Sequence, residues 1–199
     1  MASILPAGGR HLLFVMATDH EYGPMLRQRI DPLITGVGPV EAAVELSAAL
    51  AGMTRLPDLV VSLGSAGSRR KPVGEIFQIS EVSWRDIDAS RIGIPKGQTP
   101  FLDVAPVQPL ATPIAWPTAT LSTGANVVGG KEYDAIHADL VDMETWAILR
   151  ACQHFGLPLM GLRGVSDGPG ELEALGGWTA LLGVLDERLA AAVDVLLRG

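Results

Sequence analysis

The sequence predicts an α/β fold: a single-domain three-layer sandwich over residues 1–199, with a central mixed, mostly parallel sheet flanked by helices. Three observations predict it. Continuous apolar runs at 12–17, 58–63 and 159–165 read as strands buried on both faces. Helical patterns alternate with these runs, the arrangement of layered α/β proteins. Glycine and polar residues gather at 18–21, 36–39, 64–68, 123–127 and 166–170, the strand ends where such sheets bind ligands.

The elements follow in order. Leu12–Ala17 is a buried strand, closed by the polar turn Thr18–Glu21 and a short helix to about Arg29. Pro32–Thr35 is a short strand. Gly36-Val37-Gly38-Pro39 is a tight turn, with Pro39 opening a helix where its missing N–H is harmless. That helix runs to about Gly52 on an apolar stripe of Val40, Ala43, Val44, Leu46 and Leu50. Asp58–Leu63 is a strand ending in the turn Gly64-Ser65-Ala66-Gly67-Ser68, and Ile76–Val82 is another strand. Residues 85–117 hold six prolines and little periodicity, which predicts a long loop with short strand pieces. Strands follow at 119–122 and 139–143, a helix at 144–155, a buried strand at 159–165, and a last helix over about 172–197 with a weak point at Gly176-Gly177.

With 48% hydrophobic residues, a chain of 199 can fill one compact core. Charged residues are only 19%, which argues against disorder and leaves apolar surface for a partner, such as a second copy of the chain. The net charge is −7 and the longest basic run is Arg69-Arg70-Lys71, so nucleic acid is not an expected partner. Cys152 is the single cysteine, which excludes an internal disulfide and a cysteine metal cluster. No apolar stretch is long enough to span a bilayer, and the run from His11 to Ala17 is too short for a signal peptide. A cytoplasmic protein without membrane contact is expected.

Several motifs have both a structural and a chemical reading. Gly36-Val37-Gly38 resembles a dinucleotide fingerprint, but Glu41 occupies its third glycine position; a plain tight turn, or a close approach of backbone to ligand, fits as well. Gly64–Ser68 could be a structural turn or a cradle for phosphate, ribose or base, and it lacks the Lys-Ser/Thr ending of a P-loop. Thr18–Glu21 could cap a helix or present Glu21 as a base. Glu144 opens an apolar helix, and Asp167 ends a buried strand or caps the turn after it. Arg163 lies on the strand face that Asp167 shares and could pair with a carboxylate in the core. Trp146 and Trp178 read as core residues; Trp84, Phe101 and Trp116 read as candidates for an interface or a ligand lid.

In order along the chain, the acidic turn at 18–21, Thr-Gly-Val-Gly-Pro-Val-Glu-Ala-Ala at 35–43, Gly-Ser-Ala-Gly at 64–67, Val-Asp-Met-Glu at 141–144 and Arg-Gly-Val-Ser-Asp at 163–167 resemble the nucleoside phosphorylase superfamily. The nearest resemblance is to the methylthioadenosine/S-adenosylhomocysteine nucleosidases. It covers most of the chain, and the Met-Glu and Ser-Asp motifs are its specific part. The resemblance implies hydrolysis of a purine nucleoside's N-glycosidic bond in a homodimer, with no metal or organic cofactor. It further implies that Glu21 activates water, Glu144 holds the ribose hydroxyls and Met143 packs on the sugar. Asp167 would protonate the leaving base, with Ser166 beside it and Arg163 behind. Ser65, Ala66 and Gly67 would line the site, and Val128 would offer backbone groups to the base. Val127 stands where such proteins stack an aromatic ring, so futalosine or another modified nucleoside is also in range. Related phosphorylases carry an arginine where this chain has Ser62, which favours water over phosphate. A phosphorylase and a nucleoside-binding protein without catalysis are the alternatives.

Overall fold

The computed structural model describes residues 3–168 and 181–199. Its strands are β1 (Ile4–Ala7), β2 (Arg10–Met16), β3 (Leu33–Ile34), β4 (Leu59–Gly67), β5 (Ile76–Trp84), β6 (Val107–Pro109), β7 (Thr118–Thr123), β8 (Leu140–Asp142) and β9 (Leu159–Asp167). Its helices are α1 (Pro24–Arg27), α2 (Pro39–Ala51), α3 (Thr145–His154) and α4 (Leu182–Arg198). The expected start of the last helix, with Gly176-Gly177 and Trp178, lies outside the described residues.

The mixed α/β class is as expected, but the sheet is not the flat middle layer of a sandwich. It closes on itself. β4 runs parallel to β9, β9 pairs antiparallel with β5, β5 runs parallel to β7 and β7 to β8, and β8 returns to β4 through Gly67↔Val141. Beyond this ring β2 lies parallel to β4 and carries β1 and β3, while β6 pairs with β5. Two of the three longest ring strands have register shifts, between Ala66 and Gly67 in β4 and between Ile79 and Glu81 in β5. Such irregularities bend a strand and strengthen its twist, which lets long strands curve into closure.

Alternation along the strands feeds two cores. Leu13 and Val15 of β2 join Leu46 and Leu50 of α2 and Ile148 and Cys152 of α3. Leu12, Phe14 and Met16 join Leu26 of α1 and Leu185, Leu189 and Val193 of α4. Period-2 side-chain alternation makes both sets available from one apolar run. α2 starts with Pro39 as expected, yet it buries Ala42, Leu46 and Leu50, whereas Val40 and Val44 are exposed beside Val37. The N-cap position of α1 is Gly23, which has no side chain to cap it; the buried Asp186 of α4 instead accepts hydrogen bonds from the Met25 and Leu26 N–H groups at 2.8 and 3.0 Å.

Two aromatic residues read as lid candidates are packed instead. Trp84 stacks on Trp146 at a centroid distance of 6.4 Å, and Trp116 donates its indole N–H to the Ile76 carbonyl. Phe101 is fully exposed. Among the described residues, no helix is long and apolar enough to cross a membrane.

Candidate active site

A cavity of about 320 Å³ opens over the ends of β4, β8 and β9. Glu21, Ser65, Ala66, Gly67, Val127, Val128, Met143, Glu144, Arg163, Ser166 and Asp167 all line it. These are the residues expected from the sequence, drawn from five separate segments.

The Gly-Ser-Ala-Gly stretch is not the turn its composition predicts. β4 continues through Gly67 because β9 runs beside it and pairs as far as Asp167. This extension carries Ser65 to Glu21, which sits in the turn after β2. The Ser65 backbone N–H and hydroxyl both donate to Glu21 Oε1, at 2.7 and 2.6 Å. Glu21 is buried, and two donors on one oxygen fix the orientation of its carboxylate.

Glu144 stands at the N-cap position of α3, but its side chain does not cap that helix. It turns toward α2, where the Gly38 N–H donates to Oε1 at 2.8 Å. Gly36 and Gly38 have φ of 86° and 99°, values that favour glycine, and this left-handed turn delivers the N–H to the carboxylate. The donor that a dinucleotide fingerprint would offer to phosphate is therefore used inside the protein. Burial, followed by the Asp142 charge, pushes the Glu144 carboxyl up to about 7; the Gly38 N–H and Arg163 act in the opposite direction.

The cap of α3 is Asp142, a residue whose role sequence reasoning missed. Its Oδ2 accepts the Thr145 N–H at 3.0 Å and the Thr145 hydroxyl, and its Oδ1 accepts the Thr123 hydroxyl at 2.6 Å. Arg163 is the core cation that Asp142 answers: Nε and Nη2 lie 3.2 and 3.0 Å from Oδ2. The same guanidinium reaches the Ser62 carbonyl and hydroxyl at 3.1 and 2.9 Å. Both side chains are almost wholly buried, 2% and 1% exposed. The pairing of Arg163 with a core carboxylate is thus observed, and the partner is Asp142. An arginine in an otherwise apolar strand was the available signal, since a buried charge needs a counter-charge.

Asp167 ends β9. The Ser166 hydroxyl donates to Oδ1 at 2.6 Å, and the Tyr133 hydroxyl lies 3.5 Å from Oδ2. Burial raises the Asp167 carboxyl above the ordinary range, while the two hydroxyls pull it back. Across the cavity mouth, Val128 is buried and Val127 exposed. The loop that holds them is tied down by Arg85, whose guanidinium donates to the carbonyls of Ser122, Asp142 and Asn126 at 2.6, 3.0 and 2.7 Å. Arg85 lines the cavity and Tyr133 stands behind it against Asp167; the sequence did not single out either. Among the described residues, no group of three or more His, Cys, Asp or Glu side chains is arranged to hold a metal.

Four acidic side chains around a part-apolar pocket at strand ends, one of them (Asp142) already paired with Arg163, define a small-molecule site with acid–base capability. The family model described as Phosphorylase superfamily matches residues 118–193, which contain β7, β8 and β9. A 5′-methylthioadenosine/S-adenosylhomocysteine nucleosidase of Actinobacillus succinogenes is 33% identical over 159 residues, spanning 70% of this chain and 68% of the relative. The chain belongs to the nucleoside phosphorylase superfamily and, within it, to the methylthioadenosine/S-adenosylhomocysteine nucleosidase family. Solved structures share the fold. The same-named nucleosidase of S. pneumoniae, solved with a transition-state inhibitor, gives a TM-score of 0.78 at 20% identity over 93% of this chain and 99% of that one. The futalosine hydrolase of Helicobacter pylori gives 0.80 at 20% identity over 93% and 97%.

Proposed function

We propose that this protein hydrolyses the N-glycosidic bond of a purine nucleoside such as methylthioadenosine or S-adenosylhomocysteine, releasing the free base. The observation that carries the reading is the convergence of Glu21, Glu144 and Asp167 on one cavity, in a chain 33% identical to a nucleosidase of that name.

Cleaving this bond builds positive charge on the ribose and negative charge on the departing base. Asp167 is assigned the acid role at the base, which contributes roughly 10²–10⁴-fold in the usual range for proton transfer. Glu144, facing the sugar with Met143, accepts the ribose hydroxyls and stabilises the developing cation. Glu21, held by Ser65, takes a proton from the attacking water. Ser166 orients Asp167. Ala66 and Gly67 keep the floor low, and Val127 and Val128 flank the base. The analogy is to the two-carboxylate logic of glycoside cleavage.

Water rather than phosphate is the proposed nucleophile. Among the described cavity residues, Arg85 and Arg163 are the cations, and each is engaged by the protein's own acceptors. The reading places the protein in the cytoplasm as one domain and as a homodimer, with the exposed Val37, Val40 and Val44 as its apolar contact.

The test is incubation with methylthioadenosine, adenosylhomocysteine, adenosine, inosine and futalosine, each with and without phosphate, followed by quantification of free base. Release without phosphate is expected. Release that needs phosphate would replace the nucleosidase with a phosphorylase, and binding without release would leave a nucleoside-binding protein. Asp167→Asn should abolish release while keeping the thermal transition; retained activity refutes the acid role.

A further inference from the structure

The two oxygens of Asp167 are held unequally. Ser166 grips Oδ1 at 2.6 Å, whereas the Tyr133 hydroxyl stands 3.5 Å from Oδ2, longer than an ordinary O–H···O hydrogen bond. Tyr133 belongs to the short 3₁₀ turn Gly130–Ala135, which follows the loop carrying Val127 and Val128. Its ring is buried against Val128, Val141 and Ile136. The floor beneath the two groups is Gly67: a Cβ there would stand 2.4 Å from the Tyr133 hydroxyl and 2.8 Å from Asp167 Oδ2. Only a glycine at that position in β4 lets the phenol and the carboxyl meet. Burial and the neighbouring Asp167 both push the Tyr133 phenol upward, so it keeps its proton and remains a donor.

We propose that Tyr133 is a positioning residue for Asp167, its hydroxyl orienting Oδ2 toward the base and stabilising the carboxylate left after proton transfer. This rests on the acid role assigned to Asp167. The step balances as follows. The N-glycosidic bond breaks with its electron pair going to the base, and the Asp167 proton moves to a ring nitrogen of that base. Water adds to the anomeric carbon and gives its proton to Glu21. Tyr133 neither gains nor loses a proton. The contact, 3.5 Å in the structure, would shorten around an Asp167 anion, because hydrogen bonds to charged acceptors are shorter and stronger. A contact that strengthens during the reaction lowers the barrier, whereas one equal before and after does not.

Tyr133→Phe removes the hydroxyl and keeps the ring in its apolar cluster. It is expected to lower kcat on methylthioadenosine roughly 10-fold, the scale of one hydrogen bond to a charged group, with KM little changed. The pH profile carries the decisive readout. Activity needs protonated Asp167 and is lost as pH rises through its pKa. The hydroxyl lowers that pKa, so removing it moves the alkaline limb to higher pH by roughly half to one unit. A 4-nitrophenyl glycoside of methylthioribose, whose leaving group needs no proton, should be cleaved by the variant and wild type at equal rates. An unmoved limb overturns the assignment, and equal slowing on both substrates does the same, since a packing role would act on both. Asp167→Asn separates the two levels of the reading. If that variant still releases base, the acid role itself fails; if it is inactive while Tyr133→Phe leaves the limb unmoved, only the role of Tyr133 fails.

Discussion

Replacing Arg163 with Met should destabilise the fold far more than an average substitution. The guanidinium is 2% exposed and spends its donors on Asp142, Ser62, Leu162 and Thr145. Met fills similar volume without charge, so packing is largely kept while Asp142, 1% exposed, loses its counter-charge. Breaking a buried pair from one side costs about 3–5 kcal/mol, a large part of the roughly 5–15 kcal/mol that holds a typical domain together. For a chain of this size each kcal/mol moves the melting temperature by roughly 2–4 °C, so a fall of about 6–20 °C is expected. Asp142→Asn alone should be comparably harmful, because it strands the cation. The double variant, neutral on both sides, should recover part of the loss, with a coupling of about 0.5–3 kcal/mol for residues in direct contact. Urea denaturation of the four proteins at one pH closes the cycle. A single-variant loss under about 1 kcal/mol, or losses that simply add in the double variant, would refute the claim that this pair holds β9 to the start of α3.

Two further outcomes follow from the site. The Glu144 carboxyl rises from its ordinary 4.5 to about 7 in the fold, so the folded state binds the extra proton and stability from this group falls as pH rises from 4.5 through 7. Glu144→Gln should flatten that part of the stability–pH curve in urea titrations; identical slopes for variant and wild type would count against the burial argument. Ser65→Ala removes one of the two donors on Glu21 Oε1 and leaves the N–H at 2.7 Å, so kcat should drop by roughly 10-fold with KM nearly constant. A rise in KM alone would place Ser65 on the ligand rather than behind the base.

Much of this site is legible in the sequence because its carboxylates stand at the ends of apolar runs. Glu21, Glu144 and Asp167 interrupt patterns whose chemistry would otherwise bury only hydrocarbon. The elements themselves are legible for the same reason, and β2, β7, β9, α2 and α3 lie within a few residues of their expected bounds. What fails is whatever depends on distant partners. Gly64–Gly67 has the composition of a turn, and only its pairing with β9 makes it strand. The closure of the sheet through β5–β9 and β4–β8 leaves no local mark. α2 carries Val, Ala and Leu on several faces, so periodicity alone does not choose Ala42 over Val40 or Val44 for burial. Tyr133 lies in a stretch without periodicity, and nothing near it announces a hydroxyl meeting Asp167.

The four buried or half-buried carboxylates of this site are compensated in three different ways, and the difference bears on the roles proposed for them. Asp142 faces a guanidinium and receives three further donors from Thr123 and Thr145, so its oxygens are occupied within the protein. Glu21 and Glu144 each receive a backbone N–H, a donor that cannot reverse its role. The proposed roles use both as carboxylates: Glu21 as the base, and Glu144 as an acceptor whose raised pKa the ribose hydroxyls would bring down on binding. Asp167 has only hydroxyls, from Ser166 and Tyr133. A hydroxyl donates to an anion and accepts from an acid with equal ease. Asp167 is therefore the carboxyl in this group whose partners suit both a protonated and an ionised state, which fits the acid role proposed for it.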